Sequence, residues 1–406
     1  MQLNRKAASA AIRPDRRRRW RYRGRLATLS AVLVLLLPHW SFGWASLAVP
    51  SLSPYVAVAA AIAVRSITIT ALLALPVLCL SLLRPRWFCR FACPTGLLVE
   101  MAGRVRARPA ACGTRLPAIG PWVVLLTVGG ACLGYPLLLW LDPLAIFSGC
   151  VNALRQTSGR TVWISAAGLP ALLLSGLLWP GAWCRRLCPL GATQDLLALA
   201  GRELRRRGRP RPPTLPSWRM LRRTALGVGL GAIGAGGFVR ALSGARPPRL
   251  RPPGAVGEAA FTGLCVRCGN CGRVCPSRII HPDLGHGVDL LLTPTIRYDD
   301  AYCLESCRRC TEVCPSGALL RLALAEKRHT VIGLPHVDMN VCLLGDDREC
   351  ALCRTHCPYD AIRIVFSETN YSSLPQVDPG RCNGCGACQV MCPTSPIKAI
   401  VIQPCS

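Results

Sequence analysis

The apolar positions of this chain fall into two regimes. From residue 26 to about residue 200 they form long runs almost free of charge. The stretch 116–141 is 26 residues without a formal charge, 161–184 is 24, and 66–83 is 18, closed by Arg65 and Arg84. The stretch 26–64 gives 39, and Pro50-Ser51-Leu52-Ser53-Pro54 breaks it. A bilayer-crossing helix needs about 20 apolar residues. Trp122 and Trp140 bracket one run, and Trp163 and Trp179 another, as interfacial aromatics do. The pattern predicts a membrane α-helical domain of four to five spans: one near 27–45, an interfacial or re-entrant piece, then 66–83, 116–141 and 161–184. A fifth apolar segment, rich in Gly and Ala, runs from Arg222-Arg223-Thr224-Ala225-Leu226 to Phe238. Beyond residue 244 the apolar runs shorten. Segments 329–337 and 361–366 read as strands and 316–324 as a helix.

Composition sharpens the division. The chain has 406 residues, 51% of them hydrophobic and 17% charged, which argues against disorder throughout. Its net charge of +29 suggests a nucleic-acid binder until the chain is split. Residues 1–243 hold 32 Lys+Arg against 5 Asp+Glu, and residues 244–406 hold 17 against 15. All ten tryptophans lie at or before Trp218, whereas 17 of the 25 cysteines lie after residue 244. The Arg clusters at 13–25, 84–108, 185–186 and 202–223 sit at the ends of the expected spans. The positive-inside rule therefore accounts for them and puts those loops in the cytoplasm; nucleic acid is not expected as a partner. Only Lys6, Lys327 and Lys398 among the 49 basic residues are lysine, a bias that a GC-rich genome explains.

The cysteines of the back half carry the chemistry. Cys265, Cys268, Cys271 and Cys275 read C-x2-C-x2-C-x3-C-P, and Cys382, Cys385, Cys388 and Cys392 repeat that spacing. Cys303, Cys307, Cys310 and Cys314 widen the first gap to three residues; Cys342, Cys350, Cys353 and Cys357 widen it to seven. Each run ends in proline, and the first cysteines are 38, 39 and 40 residues apart, an internal repeat. Closely spaced thiolates wrap three iron corners of a cubane, and the last cysteine reaches the other cluster of a pair. Sixteen cysteines thus imply four [4Fe–4S] clusters in two pairs. Structural zinc and disulfides fit this spacing poorly. Two pairings stand open: first run with fourth and second with third, or neighbouring runs. The expected fold here is α+β, a duplicated bacterial-ferredoxin pattern.

Two further pairs lie in the front half. Trp87-Phe88-Cys89-Arg90-Phe91-Ala92-Cys93-Pro94-Thr95-Gly96 and Trp183-Cys184-Arg185-Arg186-Leu187-Cys188-Pro189-Leu190-Gly191 both read C-x3-C-P-x-G, 95 residues apart. The front half is therefore itself a two-fold repeat. Two thiols cannot complete a cluster, but Cys89, Cys93, Cys184 and Cys188 together can. A metal ion, a redox switch and simple packing are the alternatives; neighbouring arginines favour thiolates. Cys79, Cys112, Cys132, Cys150 and Cys405 have no partner at ligand spacing. The six histidines are scattered and no C-x2-C-H occurs, so haem is not expected. No G-x4-G-K loop or flavin fingerprint is present.

With these motifs placed, the front half resembles the NapH/MauN type of membrane ferredoxin protein, related to the NosR and polyferredoxin group. From Arg251-Pro252-Pro253-Gly254 to Ile402 the chain resembles the exported NapG/MauM type. The whole reads as a fusion of two partners. One departure is that 202–211 is arginine-rich and free of cysteine where the NapH type carries two further clusters. The resemblance implies a quinol-dehydrogenase type of electron transfer, from the membrane quinol pool through the clusters to a periplasmic redox protein or reductase. An assembly or metal-handling protein, or a redox sensor, are the rival readings. The expected organisation is a basic cytoplasmic N-terminus (1–25), a polytopic membrane domain (26–200), a basic linker (201–221), a twin-arginine-like signal or anchor span (222–243) and the four-cluster domain (244–406). The implied location is the bacterial inner membrane, multi-pass, with the cluster domain periplasmic. Export after folding would spare 17 bare thiols an oxidising compartment.

Overall fold

A computed structural model describes residues 16–36, 45–105, 117–154, 159–207, 218–242, 248–285, 287, 289–346, 348–368 and 371–405. The first 15 residues, His39, Cys112 and the arginine-rich 208–217 lie outside these.

The front half is helical, but its helices are short. The 66–83 run becomes Ile69–Leu72 and Leu75–Leu83, because Pro76 fits only the first turn of a new helix. The 116–141 run yields Gly120–Cys132 and then a 3-10 turn, Leu139–Leu141; Pro136 and Gly134 at φ +88° part the two. The 161–184 run divides into Gly159–Ala166 and Gly168–Leu178. The Pro50–Pro54 break falls where expected: Ala45–Ser51 ends there, and Ser53 caps Pro54–Val64. Upstream, Arg16–Leu36 begins deep inside the arginine run.

Among the described residues no helix is long and apolar enough to cross a membrane. This corrects the expected membrane domain of four to five spans. Lack of charge persists along each run, but prolines, glycines and turns divide it into pieces of 13 residues or fewer. The anchor span expected at 222–243 is corrected too. Trp218–Leu242 is a 25-residue helix laid against Gly120–Cys132. A Cβ on Gly231 would stand 2.3 Å from the Leu126 carbonyl oxygen, and one on Gly129 would stand 2.1 Å from that of Val228. These glycines let two backbones touch. Trp140, read as an interfacial aromatic, instead lies under the Arg267 guanidinium at 4.9 Å.

The back half has two ferredoxin-like α+β units with three antiparallel strand pairs. In the first, β1 (Ile280–Pro282) follows the first cysteine run and pairs with β2 (Pro294–Ile296), which precedes the second. In the second, β4 (Ile362–Ser367) and β5 (Ser372–Val377) form the same hairpin. There β3 (Leu334–Val337) also pairs with β6 (Ile400–Gln403), Leu334 opposite Gln403. The first unit keeps only a bridge, Ala255 opposite Leu319, at the equivalent place. Two expectations shift accordingly. Segment 316–324 is not helical, since Leu319 holds that bridge and helix Leu324–His329 starts later. Within 329–337 the strand begins only at Leu334. Inward-facing Ile280, Ile296, Ile362, Ile400 and Ile402 pack between the cysteine-bearing loops, so the core and the cofactor region are one body.

The halves share that core. Ala60, Ala63 and Val64 of the front half pack into it, while Val266 and Cys268 pack among Tyr55, Val124 and Leu139. Helix Pro143–Ala153 is the main strut. Asp142 caps its start, and Asn152 near its end donates to the Cys268 carbonyl at 2.7 Å and to Asn270 Oδ1 at 2.9 Å.

Candidate iron–sulfur sites

The sixteen back-half cysteines gather into four cradles, each mixing two runs. Cys265, Cys268 and Cys271 share a small cavity with Cys314, the last cysteine of the second run. Cys303, Cys307 and Cys310 share the next with Cys275, the last of the first run. Cys342, Cys350 and Cys353 share a third with Cys392. Cys382, Cys385 and Cys388 surround a fourth with Cys357 beside them. Neighbouring runs therefore pair, and the nested alternative does not occur. Each exchange follows from the C-x3-C-P ending: the short helix between the last two cysteines turns the final thiol away from its own three.

The cradles lie in a row. Cys271 is an electrostatic neighbour of Cys310, joining the first to the second. Cys303 N–H donates to the Cys385 carbonyl at 2.9 Å, joining the second to the fourth. Cys388 neighbours Cys353, joining the fourth to the third. Tyr298 is wedged between the second and fourth, its hydroxyl donating to the Gly384 carbonyl at 2.7 Å. Gly386, at φ +88°, has no room for a Cβ, which would fall 2.4 Å from the Tyr298 ring.

The donor set suits cubanes. Burial pushes most of these thiols up, Cys353 to about 11 and Cys385 to about 12. Yet backbone N–H groups aim at the sulfurs: Leu319 at Cys314 (3.3 Å), Ala361 at Cys357 (3.4 Å), and Ser277, Arg278 and Ile279 at Cys275. Burial raises Cys392 as well, but the Thr394 hydroxyl and the N–H groups of Thr394, Ala399 and Ile400 outweigh it and hold this thiol below its ordinary value. Such bonds favour thiolate sulfur and tune cluster potential. Lys327, fully buried, reaches Cys303 with its ammonium and donates to the Leu304 carbonyl at 2.5 Å. Lys398 donates to the Cys392 carbonyl at 2.5 Å.

Comparison with known proteins agrees. A family model described as a 4Fe-4S dicluster domain matches residues 264–318 and 348–395. The ferredoxin-type protein NapG of Escherichia coli K12 is 35% identical over 177 residues, 40% of this chain and 75% of NapG. The methylamine utilization ferredoxin-type protein MauM of Methylophilus methylotrophus is 33% identical over 168 residues, 38% of this chain and 73% of MauM. This chain belongs to the NapG/MauM family of ferredoxin-type proteins. NapF of the same E. coli strain is 30% identical over 152 residues, 37% of this chain and 84% of NapF. A second family model, described as a 4Fe-4S binding domain, matches 67–110 and 161–212. No solved structure matches.

That second match covers the two C-x3-C-P segments, and the fold brings them together. Cys89, Cys93, Cys184 and Cys188 line one cavity of about 570 Å³. Among the described residues no three His, Cys, Asp or Glu side chains stand close enough to hold a single metal ion. Of the unpaired cysteines, Cys79, Cys132 and Cys405 are exposed and Cys150 is buried among apolar neighbours.

Several residues that matter here carry no motif. Lys327 and Lys398 are legible only as rarities, two of three lysines. Asn152, which donates to the Cys268 carbonyl, gives no signal in the sequence.

Proposed function

We propose that this protein conducts electrons from a quinol to a redox-protein acceptor. The row of four cradles, first–second–fourth–third, carries the reading. A cluster held in each would accept and release single electrons. The chain's own contribution is order: exchanged cysteines lock neighbouring cradles together, and the Cys303–Cys385 hydrogen bond fixes one pair against the other. Buried apolar side chains around them exclude water. The front half meets the row at its first cradle, through Asn152 and the Arg267–Trp140 stack. This favours electron entry at the front-half end, in the role of a NapH/MauN-type partner joined to its ferredoxin. The third cradle, at the far end beside exposed Leu352, is the natural exit.

We place the protein at the bacterial inner membrane, with the ferredoxin units on the periplasmic side. Exposed Ile67, Ile69, Leu72, Trp163, Leu174 and Ile233 support association with the bilayer, and no spanning helix is invoked. The test is direct. Anaerobically purified protein is mixed with a reduced quinol analogue, and bleaching of the cluster absorbance is followed. Rapid bleaching, then recovery with an oxidised acceptor protein, is expected. No reduction by any quinol would overturn the reading.

A further inference from the structure

The ferredoxin half is a duplication, so each surface of one unit has a counterpart in the other. Counted back from the cysteine that precedes proline, Gly269, Asn270 and Val274 of the first unit match Ala351, Leu352 and His356 of the second. Both stretches carry the short helix between cradle cysteines, Asn270–Val274 and Leu352–Thr355. Each helix packs on the first strand of its unit's hairpin and on the matching helix of the neighbouring run. The first and third cradles therefore occupy equivalent places, at opposite ends of the row.

The two equivalent faces differ in what covers them. On the first unit helix Pro143–Ala153 lies across the face. Asn270 is 1% exposed and accepts from Asn152 at 2.9 Å, and Val274 is buried. A Cβ on Gly149 would stand 2.9 Å from the Arg267 carbonyl oxygen, so the covering backbone sits close. On the second unit the counterpart is bare among the described residues: Ala351, Leu352, Arg354, Thr355 and His356 are all exposed. The residue at its centre differs in kind as well. A buried amide such as Asn270 needs its partner always present, because an unmet hydrogen bond is costly. Leu352 offers apolar surface with no directional bond, which suits contact that forms and breaks.

We propose that residues 351–356 form the docking face for a redox-protein acceptor, with Leu352 as its apolar centre. The direction of transfer rests on the conduit reading. Leu352 adjoins Cys353, which lines the third cradle, so a protein seated there stands next to a cluster ligand. Between Cys342 and Cys357 the sequence has three acids, Asp346, Asp347 and Glu349, against Arg348 and Arg354. Near balance of charge gives little long-range steering, so the fitting partner is one whose cofactor edge lies in an apolar patch. In the step itself one electron leaves the reduced cluster and reduces the partner's oxidised cofactor; no bond forms and no proton moves. The bilayer is a poor occupant, since the face lies at the end of the row remote from the front half. A second copy is poor too, because its own helix Pro143–Ala153 is already seated on its own first unit. Transient electron-transfer contacts bury less than about 1,200 Å², a size that one short helix and its surroundings can meet.

The full-length chain, purified anaerobically, is reduced with dithionite and freed of the excess. Its oxidation by ferric cytochrome c, and separately by ferricyanide, is followed by stopped flow. Leu352→Gln should slow the cytochrome reaction about tenfold and leave the ferricyanide reaction unchanged. Leu352→Met should keep the unaltered rate. Leu320→Gln, at a leucine of the first unit that is 43% exposed against 39% for Leu352, should change neither reaction. A second measurement involves no electron transfer. Zinc-substituted cytochrome c in excess should slow hydrogen exchange across 350–357 in the unaltered protein and not in Leu352→Gln. Unaltered protein that the cytochrome fails to oxidise, equal slowing by Leu320→Gln, or protection that falls elsewhere would overturn the docking face. So would a Leu352→Gln chain that turns from dimer to monomer in sedimentation, which assigns the face to a second copy, or that loses binding to phosphatidylcholine vesicles, which assigns it to the bilayer. Dithionite supplies the electrons, so failure of every quinol to reduce the chain removes the entry step and leaves this face standing.

Discussion

Lys327 offers the sharpest test of how the chain sets the properties of its cradles. Its side chain is fully buried, and its ammonium donates to Cys303 of the second cradle. Two unit charges 4 Å apart interact by about 4 kcal/mol at an effective dielectric of 20. An added electron spreads over a whole cluster, so its charge centre lies about twice as far off and the interaction falls to about 2 kcal/mol. With about 59 mV and 1.4 kcal/mol per tenfold change for one electron, that is about 80 mV. Lys327→Met keeps the apolar stem and deletes the charge. Reduction adds negative charge, so losing the cation makes reduction harder. An EPR-monitored potentiometric titration should show one centre moved to more negative potential by tens of millivolts, up to about 80. The others should stay in place. A centre that does not move, or moves positive, would refute the electrostatic reasoning.

Other expectations follow from the same geometry. Burial lifts the Asp142 carboxyl from 3.8 to about 6, against the opposing hydrogen bonds of Ser53, Ala145 and Leu144. Between about pH 4 and 6 the folded protein therefore holds a proton that the unfolded chain has released, and stability falls as pH rises through that window. Asp142→Asn keeps a capping side chain and should flatten the slope in thermal melts across that range. Gly231→Leu forces apart Gly120–Cys132 and Trp218–Leu242 and should cost about 1–3 kcal/mol in denaturant unfolding followed by helical ellipticity. Asn152→Leu removes the donor to the Cys268 carbonyl. It should cost about 1–3 kcal/mol, seen as faster hydrogen exchange in 143–153 and 265–271 with iron content unchanged.

The ferredoxin units were legible in the sequence because ligand spacing is local. Four thiols on a short loop, ending in C-P, specify a cluster whatever surrounds them. Pairing was not legible, since a last cysteine reaching across looks identical for either neighbour; β1–β2 and β4–β5 decide it by folding each run onto the next. The front half misled for a physical reason. Absence of charge along 116–141 and 161–184 measures what the chain avoids, not how long a helix it sustains. Pro136, Gly134 and the turn at Leu139–Leu141 set that length. The lysines carried a signal that composition hid. In a chain where arginine supplies nearly every cation, Lys327 and Lys398 both stand beside cradle cysteines, Lys327 at Cys303 and Lys398 at the Cys392 carbonyl.

The exchanged final cysteine also sets an order of manufacture. Every ligand of the first two cradles lies at or before Cys314, so that pair can be loaded while the rest is still being synthesised. The third cradle cannot close when its own run is finished, because Cys392 arrives some 35 residues after Cys357. Nor can β3 find its partner until Ile400–Gln403 emerges. A chain that stops after Arg381 leaves two cradles incomplete rather than one, while a chain that stops at Leu322 keeps a complete pair of cradles. Maturation thus proceeds by pairs, and residues 382–403 complete the second pair.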